Sequence, residues 1–107
     1  MKYYYTIAFI LLSTLTFAQN NKQNIRGVII DKLTQAPLKG VTVMLNINKK
    51  SVITDTNGVY ILSELNPGRY DLKITYSGYK ESYISNVMVT SGKETILDIG
   101  LEEDYKN

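Results

Sequence analysis

Beyond residue 24 the chain alternates apolar and polar residues in short stretches. That period of two puts successive side chains on opposite faces of a pleated strand. The clearest case is residues 54–76. Asp55, Asn57 and Gly58 suit a reversal, because short Asx side chains bond nearby backbone and glycine takes positive φ freely. Tyr60 and Leu62 then alternate with Val59 and Ile61, Pro67-Gly68 signals a second turn, and Tyr70, Leu72, Ile74 and Tyr76 share one face. Two turns and two alternating runs predict a β-meander, with the remaining strands covering its apolar side.

Residues 25–31 predict a first strand, whose Val28-Ile29-Ile30 run implies burial on both faces. A loop broken by Pro37 leads to residues 41–47, with Val41, Val43, Leu45 and Ile47 inward, and Asn48-Lys49-Lys50 turns into a strand at 51–54. After the Ser77-Gly78 turn, residues 79–90 read as a longer, more polar strand. Val87 and Val89 supply its core positions, and Lys80, Glu81 and Ser82 guard it against edge pairing. Tyr60, Tyr70, Tyr76 and Tyr79 are expected to bury rings while keeping their hydroxyls near the rim. Residues 94–101 close the set, with Leu97, Ile99 and Leu101 on one face and Asp98 on the other. Turn signals recur at about ten-residue spacing, and no segment after residue 18 has helical periodicity. The fold class predicted is all-β, a seven-stranded antiparallel β-sandwich. Its first and last strands are the expected docking edges.

The start of the chain has a different pattern. Met1-Lys2 precedes an apolar run ending at Phe17, and Thr16 and Ala18 put small residues at the −3 and −1 positions before Gln19. This is the layout of a secretory signal peptide. Its run of residues 6–17 would span about 18 Å as a helix, short of the roughly 30 Å bilayer core. Cleavage after Ala18 is expected, the alternative being retention as an anchor. The organisation predicted is a signal-peptide helix at 1–18, a flexible Asn/Gln-rich leader at 19–24, a sandwich at 25–102 that does not span the membrane, and a frayed acidic tail at 103–107.

Composition narrows the chemistry. A chain of 107 residues has room for one domain. Its net charge of +2 is scattered, without the basic stripe that a nucleic-acid surface needs. The absence of Cys removes disulfides, thiolate nucleophiles and a lipidated cysteine, and the absence of His removes the commonest general base and metal ligand. No cofactor is expected.

Five motifs then stand in order: Ile25-x-Gly27-x-Ile29-x-Asp31; Pro37-Leu38-x-Gly40-Val41-x-Val43; Thr54-Asp55-x-x-Gly58-x-Tyr60-x-Leu62; Leu65-x-Pro67-Gly68-x-Tyr70-x-Leu72; and Tyr76-x-Gly78-Tyr79. Together they resemble the carboxypeptidase-regulatory-like domain over about residues 25–101. The resemblance implies a prealbumin-like (transthyretin-like) sandwich. In the carboxypeptidases this module is an accessory beside a separate zinc catalytic domain. Similar modules lie between the signal peptide and the plug of TonB-dependent outer-membrane receptors of Bacteroidetes. The resemblance therefore implies an exported module of the periplasm or outer membrane, standing alone, secreted, or detached from the front of such a receptor, with an envelope protein as partner.

Candidate sites are few. Asp55-Thr56-Asn57-Gly58 looks like the opening of a calcium loop, but the strand resumes at Val59 without the downstream bidentate carboxylate such a site requires. Asp55, Asn57, Gly58, Pro67, Gly68 and Gly78 therefore read as structural turns. Glu64, Asp71, Glu81 and Asp98 are single acids, and their spacing does not gather the pair a glycosidase needs. A Lys–Asn isopeptide bond of the pilin type would want a buried Lys where the first strand has Arg26. The alternative to protein docking is polysaccharide binding, as in starch-binding modules. Without Trp, its ligand surface would rest on Tyr79, Tyr83 and Tyr105.

Overall fold

The computed structural model describes residues 22–105. The signal-peptide expectation and the first residues of the leader lie outside them. Among the described residues every regular element is a strand: β1 (Gln23–Asp31), β2 (Thr42–Leu45), β3 (Ser51–Ile53), β4 (Val59–Leu65), β5 (Gly68–Thr75), β6 (Ser82–Val89), β7 (Thr95–Ile96) and β8 (Ile99–Leu101). They form two sheets. The first has β1 at its centre, with β4 on one side and β7 and β8 on the other; the second runs β3-β2-β5-β6.

The inward residues are those the alternation indicates. Ile25, Ile29, Tyr60, Leu62, Ile99 and Leu101 come from the first sheet, facing Val43, Leu45, Leu72, Ile74, Val87 and Val89 from the second. All are buried. Tyr70, Tyr76 and Tyr79 pack partly buried against this core.

Several expectations are corrected. Eight strands replace seven, because the closing segment breaks at Leu97-Asp98 into β7 and β8. Both pair with β1 in parallel, so the first sheet is mixed rather than wholly antiparallel. There is no meander through residues 59–76, since β4 pairs with β1 while β5 lies in the other sheet. The Pro67-Gly68 turn is a corner between layers. Alternation reports which face is buried, not which strand lies alongside. Ile47 is 76% exposed because the chain turns back at once after Leu45, with the Lys49 and Leu45 amides bonding across the turn and Lys49 at φ 62°. β1 is central, so it offers no docking edge. Gln23 and Asn24 belong to β1 rather than to a flexible leader. At the other end the tail does not fray over its described part. Lys80 N–H donates to Glu102 O, Asp104 N–H donates to Gly78 O, and Tyr79 bridges Glu103.

Two bulges shape the strands. Between Ile25↔Leu62 and Gln23↔Leu65, β4 carries one extra residue where Glu64 takes φ 64°. Between Leu72↔Ile84 and Tyr70↔Val87, β6 carries one where Asn86 takes φ 60° and donates its N–H to Asp71 Oδ1. Bulges disrupt an edge ladder and discourage strand addition. The second guards β6, whose own residues carry no charge; Lys80 and Glu81 lie before the strand begins.

Candidate functional site

The six turn residues act locally. Asp55 Oδ1 accepts the N–H groups of Asn57 and Val59, its carbonyl accepts Gly58 N–H, and its own N–H donates to Val59 O. This closes the turn and also occupies the outward backbone groups of Val59 on the β4 edge. Gly58 sits at φ 77°, and a Cβ there would lie 2.7 Å from Ile29 O, so both strain and space require glycine. Pro67 and Gly68 make the corner between sheets, and the Gly78 carbonyl accepts Asp104 N–H.

The three tyrosines proposed as a ligand surface do not share a platform. Tyr83 stands 67% exposed on the outer face of the second sheet, with Lys73 Nζ 5.9 Å from its ring centre and Glu81 accepting its hydroxyl. Tyr79 and Tyr105 belong to a different corner, built on Asp31. There Asp31, 6% exposed, accepts Leu33 and Thr34 N–H on Oδ1 and the Tyr79 hydroxyl on Oδ2 at 2.6 Å. These bonds hold the Asp31 carboxyl below its ordinary range, with the Tyr79 bond the largest cause. The same bond, with desolvation behind it, pushes Tyr79 up to about 12. Beside them lies an open cleft lined by Lys32, Leu33, Glu102, Glu103 and Tyr105. Glu103 accepts a bond from the Tyr105 hydroxyl and raises its pKa.

Three of the four single acids are engaged elsewhere, while Asp31, Glu102 and Glu103 share the cleft at the corner. Asp71 holds the β6 bulge, Glu81 pairs with Lys73, and Asp98 bonds the β1 backbone. Among the described residues no three acids gather to hold a metal ion, and the buried polar side chains are Asp31 and Thr54, with no buried lysine where an isopeptide bond would need one. Arg26 is half-exposed and paired with Glu94 at 3.2 Å.

Two features were not foreseen from the sequence. The first is a joint beneath β1. A Cβ on Gly27 would lie 1.8 Å from Leu97 O, so glycine alone admits the closing strand at this point. The Leu97 carbonyl turns into the sandwich and accepts the Tyr60 hydroxyl at 2.6 Å. In a parallel ladder the residue that donates to Arg26 O, here Leu97, would return its carbonyl to Val28 N–H. With that carbonyl turned inward, Asp98 Oδ1 accepts Val28 N–H at 2.9 Å instead. Burial, and then the Asp98 charge, raises the Tyr60 pKa and keeps the phenol a donor.

The second is the outer face of the first sheet. Val28 and Val59 lie opposite one another, Arg26 sits between Ile61 and Ile96, and Ile30 lies beside Gly100. Ile61 is 45% and Ile96 56% exposed. The only signal for this face was the unbroken Val28-Ile29-Ile30 run, which predicts apolar residues on both faces of β1.

The two sheets and the core between them define a β-sandwich module. The family model of the carboxypeptidase regulatory-like domain matches residues 24–102. The chain belongs to that family. No curated protein matches it by sequence. Among solved structures it is similar to a chain in a type II cohesin–X-dockerin complex from Acetivibrio cellulolyticus, at 31% identity and TM-score 0.61, over 72% of this chain and 52% of that one. It is also similar to the TIE protein of Bacillus anthracis, at 21% identity and TM-score 0.63, over 78% of this chain and 17% of that one. BcpA, the major pilin subunit of Bacillus cereus, matches at 19% identity and TM-score 0.61, over 78% of this chain and 31% of that one. The chain thus spans about half the length of the first and less of the other two; the last two likenesses speak for the fold alone. Among the described residues no helix is long and apolar enough to cross a membrane.

Proposed function

We propose that this module is an exported, non-catalytic docking and spacing unit of the cell envelope, delivered by residues 1–18 and set at the outer membrane, as the front of a TonB-dependent receptor or on its own. The observation that carries the reading is the aliphatic outer face centred on Val28, Val59, Ile61 and Ile96. These aliphatic side chains flank the Arg26–Glu94 pair, and apolar surface rimmed by polar groups on a small domain marks an interaction site. The similar cohesin–X-dockerin chain comes from a structure named for a protein–protein interface, and Asp31, Asp71 and Asp98 are each engaged in holding the fold.

The test places a photo-crosslinking residue at Ile61, at Ile96 or at Tyr83 in cells exporting the chain. One discrete protein adduct shared by the first two positions and missing from the third supports the reading. Equal labelling from all three, or none, sinks it. Polysaccharide binding is the second reading, supported by the exposure of Tyr83 and Tyr105. Retention on a glycan array that disappears with Tyr83→Ala or Tyr105→Ala would favour it.

A further inference from the structure

We infer that the module is built to resist tension along its chain, which makes it a mechanical spacer; this rests on the spacing half of the proposed function and deepens it. The described strands enter and leave at opposite ends of one sheet. β1 comes first and β7 and β8 last, yet they are neighbours in one sheet and run parallel. The chain therefore enters at Gln23, beside Leu65 of β4, and leaves at Leu101, beside Asp31 at the far end of β1. The nine residues of β1 separate these points by about 26 Å.

Pulling on the two ends draws β1 towards its start and β8 towards its finish. All the bonds between them then resist sliding together. A hairpin pulled apart at its mouth, by contrast, surrenders its bonds one at a time.

The joint at Gly27 keeps this ladder continuous. Leu97 N–H donates to Arg26 O, Asp98 Oδ1 accepts Val28 N–H, and Lys32 N–H donates to Leu101 O. Asp98 fills the gap left by the inward Leu97 carbonyl, and the Tyr60 hydroxyl ties that carbonyl to β4. On its other flank β1 is paired with β4, so it cannot slide free without breaking both neighbours. Past Leu101, the segment bonded to Gly78 and Lys80 lies in series with the ladder.

Single-molecule force spectroscopy tests this on the full chain held between marker domains. The chain has no natural Cys, so Asn66→Cys with Thr90→Cys gives a second pulling direction on the same folded protein, one that opens the β5–β6 hairpin at its Gly68↔Val89 end. Forced unfolding reads the unfolding rate under load, and at equal loading rate the end-to-end direction should need about twice the force or more. Asp98→Ala should lower the end-to-end force and leave the hairpin direction unchanged. Equal forces in the two directions, or an Asp98→Ala variant that weakens both alike, would overturn the inference. No docking partner is present in this measurement, so a low force leaves the docking reading standing, and a failed crosslink leaves this one.

Discussion

The two sheets of this sandwich are built in different ways, and the difference decides where function can sit. The second sheet is largely local: β2–β3 and β5–β6 are hairpins of consecutive strands, joined through β2–β5. Its outer face mixes Thr42, Met44, Arg69, Lys73, Thr75 and Tyr83 with the exposed Ile53 and Met88, so charge and apolar surface alternate across it. The first sheet is assembled from distant parts of the chain, β1 against β4, β7 and β8. It carries the aliphatic outer face, the parallel contact and the joint at Gly27. Local pairing yields a face on which charged and apolar residues are interspersed; distant pairing yields the parallel contact, the joint at Gly27 and a face whose aliphatic residues flank the Arg26–Glu94 pair.

The largest difference between the sheets is expected from Gly27→Ala. Its Cβ would meet Leu97 O at 1.8 Å, and the obstructing atom is backbone. The cost should be about 4 kcal/mol or more, in the range reserved for named core defects, against a total stability of about 5–15 kcal/mol for a typical domain. Gly92→Ala, beside the second sheet, meets nothing within 4 Å and suffers only from its φ of 78°, so about 1 kcal/mol is expected there. Urea denaturation midpoints distinguish the two. Similar losses would mean that Gly27 is not the place where the first sheet closes.

Next in size are the bonds that complete the joint. Tyr60→Phe removes the donor to Leu97 O, and Asp98→Ala removes the acceptor for Val28 N–H. Each should cost about 1 kcal/mol, the net worth of one hydrogen bond. The two act on consecutive residues of the closing strand, so the double variant should depart from additivity by about 0.5 kcal/mol or more. A strictly additive pair would mean that the Leu97 carbonyl and the Asp98 carboxylate respond independently.

Much of the second sheet was legible in the sequence. Asn48, Lys49 and Lys50 mark the β2–β3 turn, Ser77-Gly78 precedes β6, and the alternating positions from Tyr70 to Ile74 name the inward residues correctly. Hairpin partners are adjacent in sequence, so a turn signal also names the pairing. The first sheet was legible only in its facing. Tyr60, Leu62 and Ile99 are inward as alternation requires, but nothing near Gly27 reports the Leu97 carbonyl that it admits. Nor does anything in the 94–101 run show that it will lie parallel to β1 and break in the middle. The aliphatic outer face was half visible. Val28 and Ile30 stood in an apolar run, but Ile61 and Ile96 acquire meaning only when β4 and β7 are seen to flank β1.

A smaller effect separates the corner at Asp31 from both sheets. The Tyr79 phenol is raised from 10.0 to about 12 in the folded state. Its contribution to stability is therefore full below pH 10 and disappears as pH rises through 10–12. The Asp31 carboxyl lies below its ordinary 3.8, so its contribution is full above that value and is lost as pH falls past it. Denaturation midpoints against pH should be level between these limits and fall on both sides. Tyr79→Phe should reduce both slopes, because one bond supplies the leading cause of both shifts. An acid slope unchanged by Tyr79→Phe would assign Asp31 to the loop amides of Leu33 and Thr34 alone.

The least change in stability, and the most direct test of the two faces, comes from Ile61→Lys set against Tyr83→Lys. Ile61 is 45% exposed and Tyr83 67% exposed, and surface substitutions of this kind usually alter stability by less than about 0.5 kcal/mol. Both variants should therefore unfold near the parent midpoint. Their effect on docking should differ. A charge at position 61 lands beside Arg26 in the middle of the aliphatic face and would have to be desolvated by any partner seated there, a cost that weakens binding sharply. A charge at position 83 joins Lys73 on a face that is already solvated and should leave binding alone. Crosslinking from Ile96 reads the outcome, because that residue sits across Arg26 from Ile61. Loss of the adduct in Ile61→Lys with retention in Tyr83→Lys assigns docking to the sheet assembled from distant strands, and the reverse result assigns it to the local one.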